Sequence, residues 1–219
     1  MRLTIYGKST VIKALAITLA LDMAALLVPN EIAKLVLLII SILFISFTLY
    51  FFRDPVRQIP ENLTDRDVLS PADGKVMMIE EVQENDFIKG PAKVIGIFLS
   101  PLNVHVNRVP ITGKVKFYQY IKGEFIAAYD HASADKNERT VIGIEGACFK
   151  VLFKQITGFV ARRIVCELRV GDDVKIGEKF GMIKFGSRTD VIMPINAKIK
   201  VSVNQKVTGG ITLLAEVPE

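Results

Sequence analysis

The 219-residue chain contains no tryptophan, two cysteines and two histidines. Cys148 and Cys166 show no CxxC spacing, and with only His105 and His131 beside them no structural zinc site of the usual spacing can be assembled. In a cytoplasmic domain both thiols would stay reduced, and they are expected to act as small buried hydrophobes. The formal net charge is +5, yet no run of lysines and arginines is interleaved with aromatics, which argues against nucleic acid as a partner. Anionic lipid head groups are the simpler partner for such a charge. Neither a glycine-rich phosphate cradle nor a G-x-S-x-G nucleophile elbow is present.

Charge is also missing from one long stretch. Residues 35–52 carry none, and with its start at Ile32 this run reaches the roughly 20 residues needed to cross a bilayer core of about 30 Å. An earlier apolar run, residues 11–28, contains Lys13 and Asp22. A carboxylate in hydrocarbon costs about 2.5–3.5 kcal/mol, so Asp22 is expected near the interface, against the partner helix, or protonated. A signal peptide is the competing reading of the first run, but no small-x-small cleavage site follows it and a second apolar run begins within a few residues. The pattern predicts a membrane hairpin in residues 1–52, with helices at about 11–28 and 32–52 turned by Pro29-Asn30-Glu31, transmembrane or monotopic. Arg2, Lys8 and Lys13 at its start and Arg53 and Arg57 after it place both ends, and the domain that follows, in the cytoplasm.

Residues 53–67, polar and holding Pro55 and Pro60, read as a juxtamembrane linker. Beyond them the pattern changes to short alternating segments rich in Val, Ile and Phe, at 74–82, 93–99, 113–121, 140–154, 161–170 and 197–203. Turn signals such as Thr112-Gly113 and Gly209-Gly210 separate them. Without long amphipathic helices between them, these strands predict an all-β soluble domain over 68–219, β-sandwich or barrel-like. The polar stretch 129–139 is expected to be a loop or short helical piece near the site.

Chemistry is carried by a few residues at strand-to-turn junctions. Gly186-Ser187 within KFGSRTD and Asp73-Gly74 within SPADG each read singly as a turn, and His105 as a core or edge histidine. Together one serine, one histidine and one aspartate make a nucleophile, a base and an orienting acid. Spacing alone does not show that they meet.

Five segments in order carry a family resemblance: FFRDPVRQIP at 51–60, SPADGKV at 70–76, FLSPLNVHVNRVP at 98–110, NER at 137–139 and FGMIKFGSRTDVIMP at 180–194. The chain resembles the pyruvoyl-dependent phosphatidylserine decarboxylases, in particular their short form. The resemblance implies a proenzyme that cuts itself between Gly186 and Ser187 into a beta chain, 1–186, and an alpha chain, 187–219, which remain together. It assigns Ser187, His105 and Asp73 to the cleavage and makes Ser187 the precursor of a covalent pyruvoyl group, with no metal. That group would form a Schiff base with the amine of phosphatidylserine and accept the electrons left by CO₂. His105 is the family-matched residue for reprotonation.

Two positions depart from the longer members, with Arg108 where they carry a second histidine and Arg188 where they often have threonine. Arg108 cannot act as a base at neutral pH and would pair with a carboxylate or a lipid phosphate. His131 reads either as an exposed loop residue or as part of the substrate mouth. An ether-lipid archaetidylserine is the close alternative substrate, and a membrane-tethered β domain that only binds a partner is the rival of another class.

Overall fold

In an apolar run the backbone N–H and C=O groups can be satisfied only internally, which selects helix. The two runs form α1 (Lys8–Leu26) and α2 (Glu31–Phe51). Asn30 caps α2, its side-chain oxygen accepting the Ala33 N–H at 3.0 Å. Hydroxyls inside the apolar helices are absorbed locally, Thr18 donating to the Ala14 carbonyl and Thr48 to that of Phe44. Thr4 N–H donates to the Phe52 carbonyl and Asp54 N–H to that of Arg2, so the two ends of the hairpin lie side by side. Both Ile5–Leu26 and Glu31–Phe51 are long and apolar enough to cross a membrane. Asp22 is half-buried about one turn before the end of α1.

The computed structural model describes residues 2–126, 136–158, 163–184 and 187–219. It divides into two compact units, Met1–Val56 and Arg57–Glu219. In the second unit the described residues form fourteen strands: β1 (Asp67–Leu69), β2 (Gly74–Glu84), β3 (Gly90–Leu99), β4 (Val106–Arg108), β5 (Gly113–Ile121), β6 (Arg139–Glu145), β7 (Lys150–Ile156), β8 (Arg163–Cys166), β9 (Asp173–Val174), β10 (Lys179–Lys184), β11 (Ser187–Pro194), β12 (Lys198–Ile199), β13 (Lys206–Val207) and β14 (Leu213–Glu216). A curled eight-stranded sheet runs in the order β13-β2-β3-β11-β7-β6-β5-β9. Two three-stranded sheets, β4-β10-β8 and β1-β14-β12, complete the unit. All pairings between these strands are antiparallel.

The expected segment 140–154 proves to be a hairpin, because Gly146 N–H closes a tight turn on the Phe149 carbonyl and separates β6 from β7. Cys148 sits exposed on that turn, which corrects the expectation that both cysteines are buried. Cys166 ends β8 partly buried against the main core, and burial pushes its thiol up to about 11.

Alternation along the strands sorts side chains to two faces. Val191 and Met193 of β11, Ile95, Ile97 and Leu99 of β3, and Val151 and Phe153 of β7 point into the main core. Ile192, Val94 and Leu152 point the other way, into a smaller apolar cluster. The middle of the sheet is therefore covered on both sides, and β11 is buried from Ser187 to Met193.

At the tip of the β2–β3 hairpin the Glu84 carboxylate accepts backbone N–H groups from Asp86, Phe87, Ile88 and Lys89. Burial alone would raise its pKa, but these four donors hold it below the ordinary glutamate value. Because the folded pKa is depressed, this contribution to stability is full above the unfolded pKa and disappears as pH falls through the folded one. Glu84→Gln should destabilise the domain by about 1–3 kcal/mol at neutral pH. Thermal melts should show the gap from wild type closing below the ordinary carboxylate range.

Candidate active site

The serine of KFGSRTD opens a strand. Ser187 is the first residue of β11, paired with Leu99 of β3, while Arg188 is paired on both sides, with Phe98 and Ile156. By alternation Ser187 and Thr189 share the main-core face with Val191, and Arg188 and Asp190 face the opposite way. Ser187 is fully buried, and its Oγ has no hydrogen-bond partner among the described residues. A buried hydroxyl left unmatched costs about 1–3 kcal/mol, so its presence calls for a reason other than stability. Gly186 lies outside the described residues, as does His131.

His105 reaches the same end of β3 by a tight turn. After Leu99 the Asn103 side chain accepts the Ser100 N–H at 2.9 Å, turning the chain back toward β4. Asn107 of β4 receives a hydrogen bond from Gln155 of β7 at 2.9 Å, so that side of β4 faces the row formed by Thr189, Gln155 and Thr140. His105 lies two residues before Asn107, in the segment that enters β4. It is fully buried, with Nδ1 2.9 Å from the Asn103 carbonyl. A carbonyl only accepts, so the proton resides on Nδ1 and the basic lone pair on Nε2.

Asp73 flanks the other side of β3. Lys75 of β2 pairs with Phe98, next to the Leu99 that pairs with Ser187, so Asp73 and Ser187 bracket one strand end with backbones about 10 Å apart, two strand spacings. Asp73-Gly74 is not a hairpin turn but the entry to β2 from β1. Gly74 is required there, since a Cβ would lie 2.3 Å from the Phe98 carbonyl oxygen. Both Asp73 oxygens are occupied: Oδ1 accepts the Gly209 N–H at 2.8 Å and Oδ2 the Arg57 guanidinium at 2.7 Å. The topology thus brings all three residues to one end of β3, while Asn103 rather than Asp73 meets His105 Nδ1.

Sequence reasoning did not single out Asn103, the Asn107–Gln155–Thr140 network or Lys184. Lys184 of β10 is buried, and its ammonium is pushed below the ordinary lysine value by burial and by Arg163 opposite it. Its place at the head of KFGSRTD was the available signal. Arg108 is buried and donates to the Gly177 carbonyl at 2.8 Å. A cavity of about 500 Å³ opens on the far face of β11, lined by Arg188, Asp190, Lys154 and Arg139 among others. The strand itself separates it from Ser187. Arg188 there forms a two-pronged ion pair with Asp190.

The antiparallel β domain thus carries a buried serine, a buried histidine and a carboxylate near one strand end. The family model for phosphatidylserine decarboxylase matches residues 44–215. A phosphatidylserine decarboxylase proenzyme of Chlorobium chlorochromatii is 46% identical over 213 residues, covering 97% of this chain and 98% of the relative. That of Pelodictyon phaeoclathratiforme is 45% identical with 97% and 98% covered, and that of Chlorobaculum tepidum 41% with 99% and 98%. The chain belongs to the phosphatidylserine decarboxylase family.

Proposed function

We propose that this chain is a phosphatidylserine decarboxylase proenzyme, a carboxy-lyase that forms phosphatidylethanolamine and CO₂ after cutting itself between Gly186 and Ser187. The likeness to proenzymes of that name over nearly the whole chain carries the reading. The buried, unpartnered Ser187 hydroxyl supports the choice of nucleophile.

In this reading Ser187 Oγ attacks the Gly186 carbonyl while His105 Nε2 takes its proton, the imidazolium remaining anchored through Nδ1–H on Asn103. The acyl group moves from nitrogen to oxygen and leaves an ester and a free amine. Loss of the residue-187 Cα proton expels the Gly186 carboxylate, and hydrolysis of the resulting enamine releases ammonia. The residue left at the head of 187–219 is a pyruvoyl group. The surroundings fit it: a fully buried position at the start of a doubly paired strand, beside Thr189 on a face that also carries Gln155. Its ketone supplies the electron sink that decarboxylation of a primary-amine substrate requires. His105 is assigned to carry the proton to the substrate carbon.

Cleavage would not separate the products. Of the strands that the segment 187–219 supplies, β11, β13 and β14 pair with β3, β7, β2 and β1 of the larger piece. The helical hairpin holds the enzyme at the membrane that contains its substrate, with the β domain on the cytoplasmic side as the flanking cations direct.

Intact mass of the purified protein tests this reading. Two chains are expected, the smaller beginning at residue 187 and lighter by one ammonia than its serine-started peptide. A single full-length chain from an active preparation would overturn the cleavage.

A further inference from the structure

We infer that Arg57, the first residue of the β unit, is a positioning residue for self-cleavage, holding the Asp73 carboxylate in place through the chain that leaves α2. The inference rests on the proposed self-cleavage and on the family resemblance, which assigns Asp73 to it together with Ser187 and His105.

The Arg57 Nη2 to Asp73 Oδ2 distance is 2.7 Å, and the two side chains are only 14% and 16% exposed. This is not a solvated surface pair of the kind that contributes little. The remaining oxygen is taken by the Gly209 N–H, so the carboxylate is held from two sides in one orientation. Removing the guanidinium would leave a largely buried carboxylate with a single neutral donor, free to rotate at the strand end it shares with Ser187.

The linker is docked rather than slack. Ile59 packs on Gly177 so closely that a Cβ there would lie 2.4 Å from Ile59 Cδ1, and Gly177 has φ +80°, a conformation glycine adopts freely. Pro55 and Pro60 restrict the backbone on either side of Arg57. Two adjacent anchors, one apolar and one ionic, therefore fix the segment, and the ionic one ends on the acid of the cleavage set. Arg53, by contrast, stacks on Tyr50 at 3.7 Å and donates to its carbonyl. The residue that reads as a plain topology signal in the sequence thus has a specific partner.

The experiment follows conversion of full-length precursor into two chains, by gel and intact mass, for wild type, Arg57→Met, Arg57→Lys, Ile59→Ala and Asp73→Asn. Arg57→Met should slow conversion about 10- to 100-fold, the cost of a misplaced group near the reacting atoms. Added guanidinium ion at millimolar concentration should restore part of the rate to that variant alone, with equal sodium chloride having no such effect, and Arg57→Lys should fall between. Ile59→Ala should lower the melting temperature without responding to guanidinium. If Arg57→Met matures at the wild-type rate while Asp73→Asn is blocked, the positioning role is wrong and the reading of Asp73 stands. If Arg57→Met is slow, folded by thermal melt and indifferent to guanidinium, and Arg57→Lys matures no faster than it, Arg57 is only a structural tie. Normal maturation of Asp73→Asn would remove Asp73 from the set and this inference with it.

Discussion

Ser187→Ala should remain a single 219-residue chain with no decarboxylase activity, while melting no lower than an unprocessed wild-type precursor. The two outcomes share one cause. The side chain is fully buried and its hydroxyl is unmatched among the described residues, so alanine removes a polar group that folding does not use. Deleting a buried orphan of this kind is neutral or stabilising by about 1 kcal/mol. The proposed route, however, uses that oxygen twice: as the nucleophile on the Gly186 carbonyl and as the leaving atom when the ester eliminates. An uncatalysed route to the same ketone does not exist once Cβ bears no oxygen. Intact mass, a decarboxylation assay and a melt on one preparation are enough, and a cleaved or active alanine variant would refute the assignment of Ser187.

His105→Gln should accumulate precursor, with self-cleavage slowed by about a thousandfold or more, as when one member of a nucleophile–base pair is lost. Glutamine is the informative replacement because its amide can still donate to the Asn103 carbonyl, keeping that hydrogen bond while supplying no base. Alanine at the same position would also open a void at a site with no solvent exposure, and so would mix a packing loss with the chemical one. Precursor-to-product conversion over hours, with circular dichroism to establish folding, decides the matter. Cleavage of the glutamine variant at the wild-type rate would take His105 out of the mechanism and turn attention to Lys184, the buried amine of β10 whose pKa is depressed.

The helices and most long strands were legible because each is set by local periodicity. An apolar run longer than a bilayer core is wide becomes a helix in either solvent, and α2 lies within one residue of its expected limits. The segment at 113–121 coincides with β5. Legibility failed where the deciding contact was distant in sequence. The stretch 140–154 alternates throughout, and only the pairing of β6 with β7 reveals the turn at Gly146. The expected strand at 197–203 shrinks to the two residues of β12 paired with β14, and by Asn204 the backbone hydrogen-bonds instead to Val76 of β2. At the site, a serine next to a glycine read as a turn, whereas Ser187 is already inside a ladder with β3.

Chemical identity was therefore present in the order of amino acids: a Gly-Ser pair, a His and an Asp inside five recognisable segments, behind an apolar hairpin. Residue type is a local property, and with it the kind of chemistry that a hydroxyl, an imidazole or a carboxylate can take part in. Orientation was decided only by the folded chain. That Asn103 sets the tautomer of His105, that Arg57 and Gly209 hold Asp73, and that Ser187 faces the core while Arg188 faces the opposite cavity all depend on register between strands far apart in sequence. A shift of one residue in that register would exchange the two faces of β11 and turn the serine away from the main core.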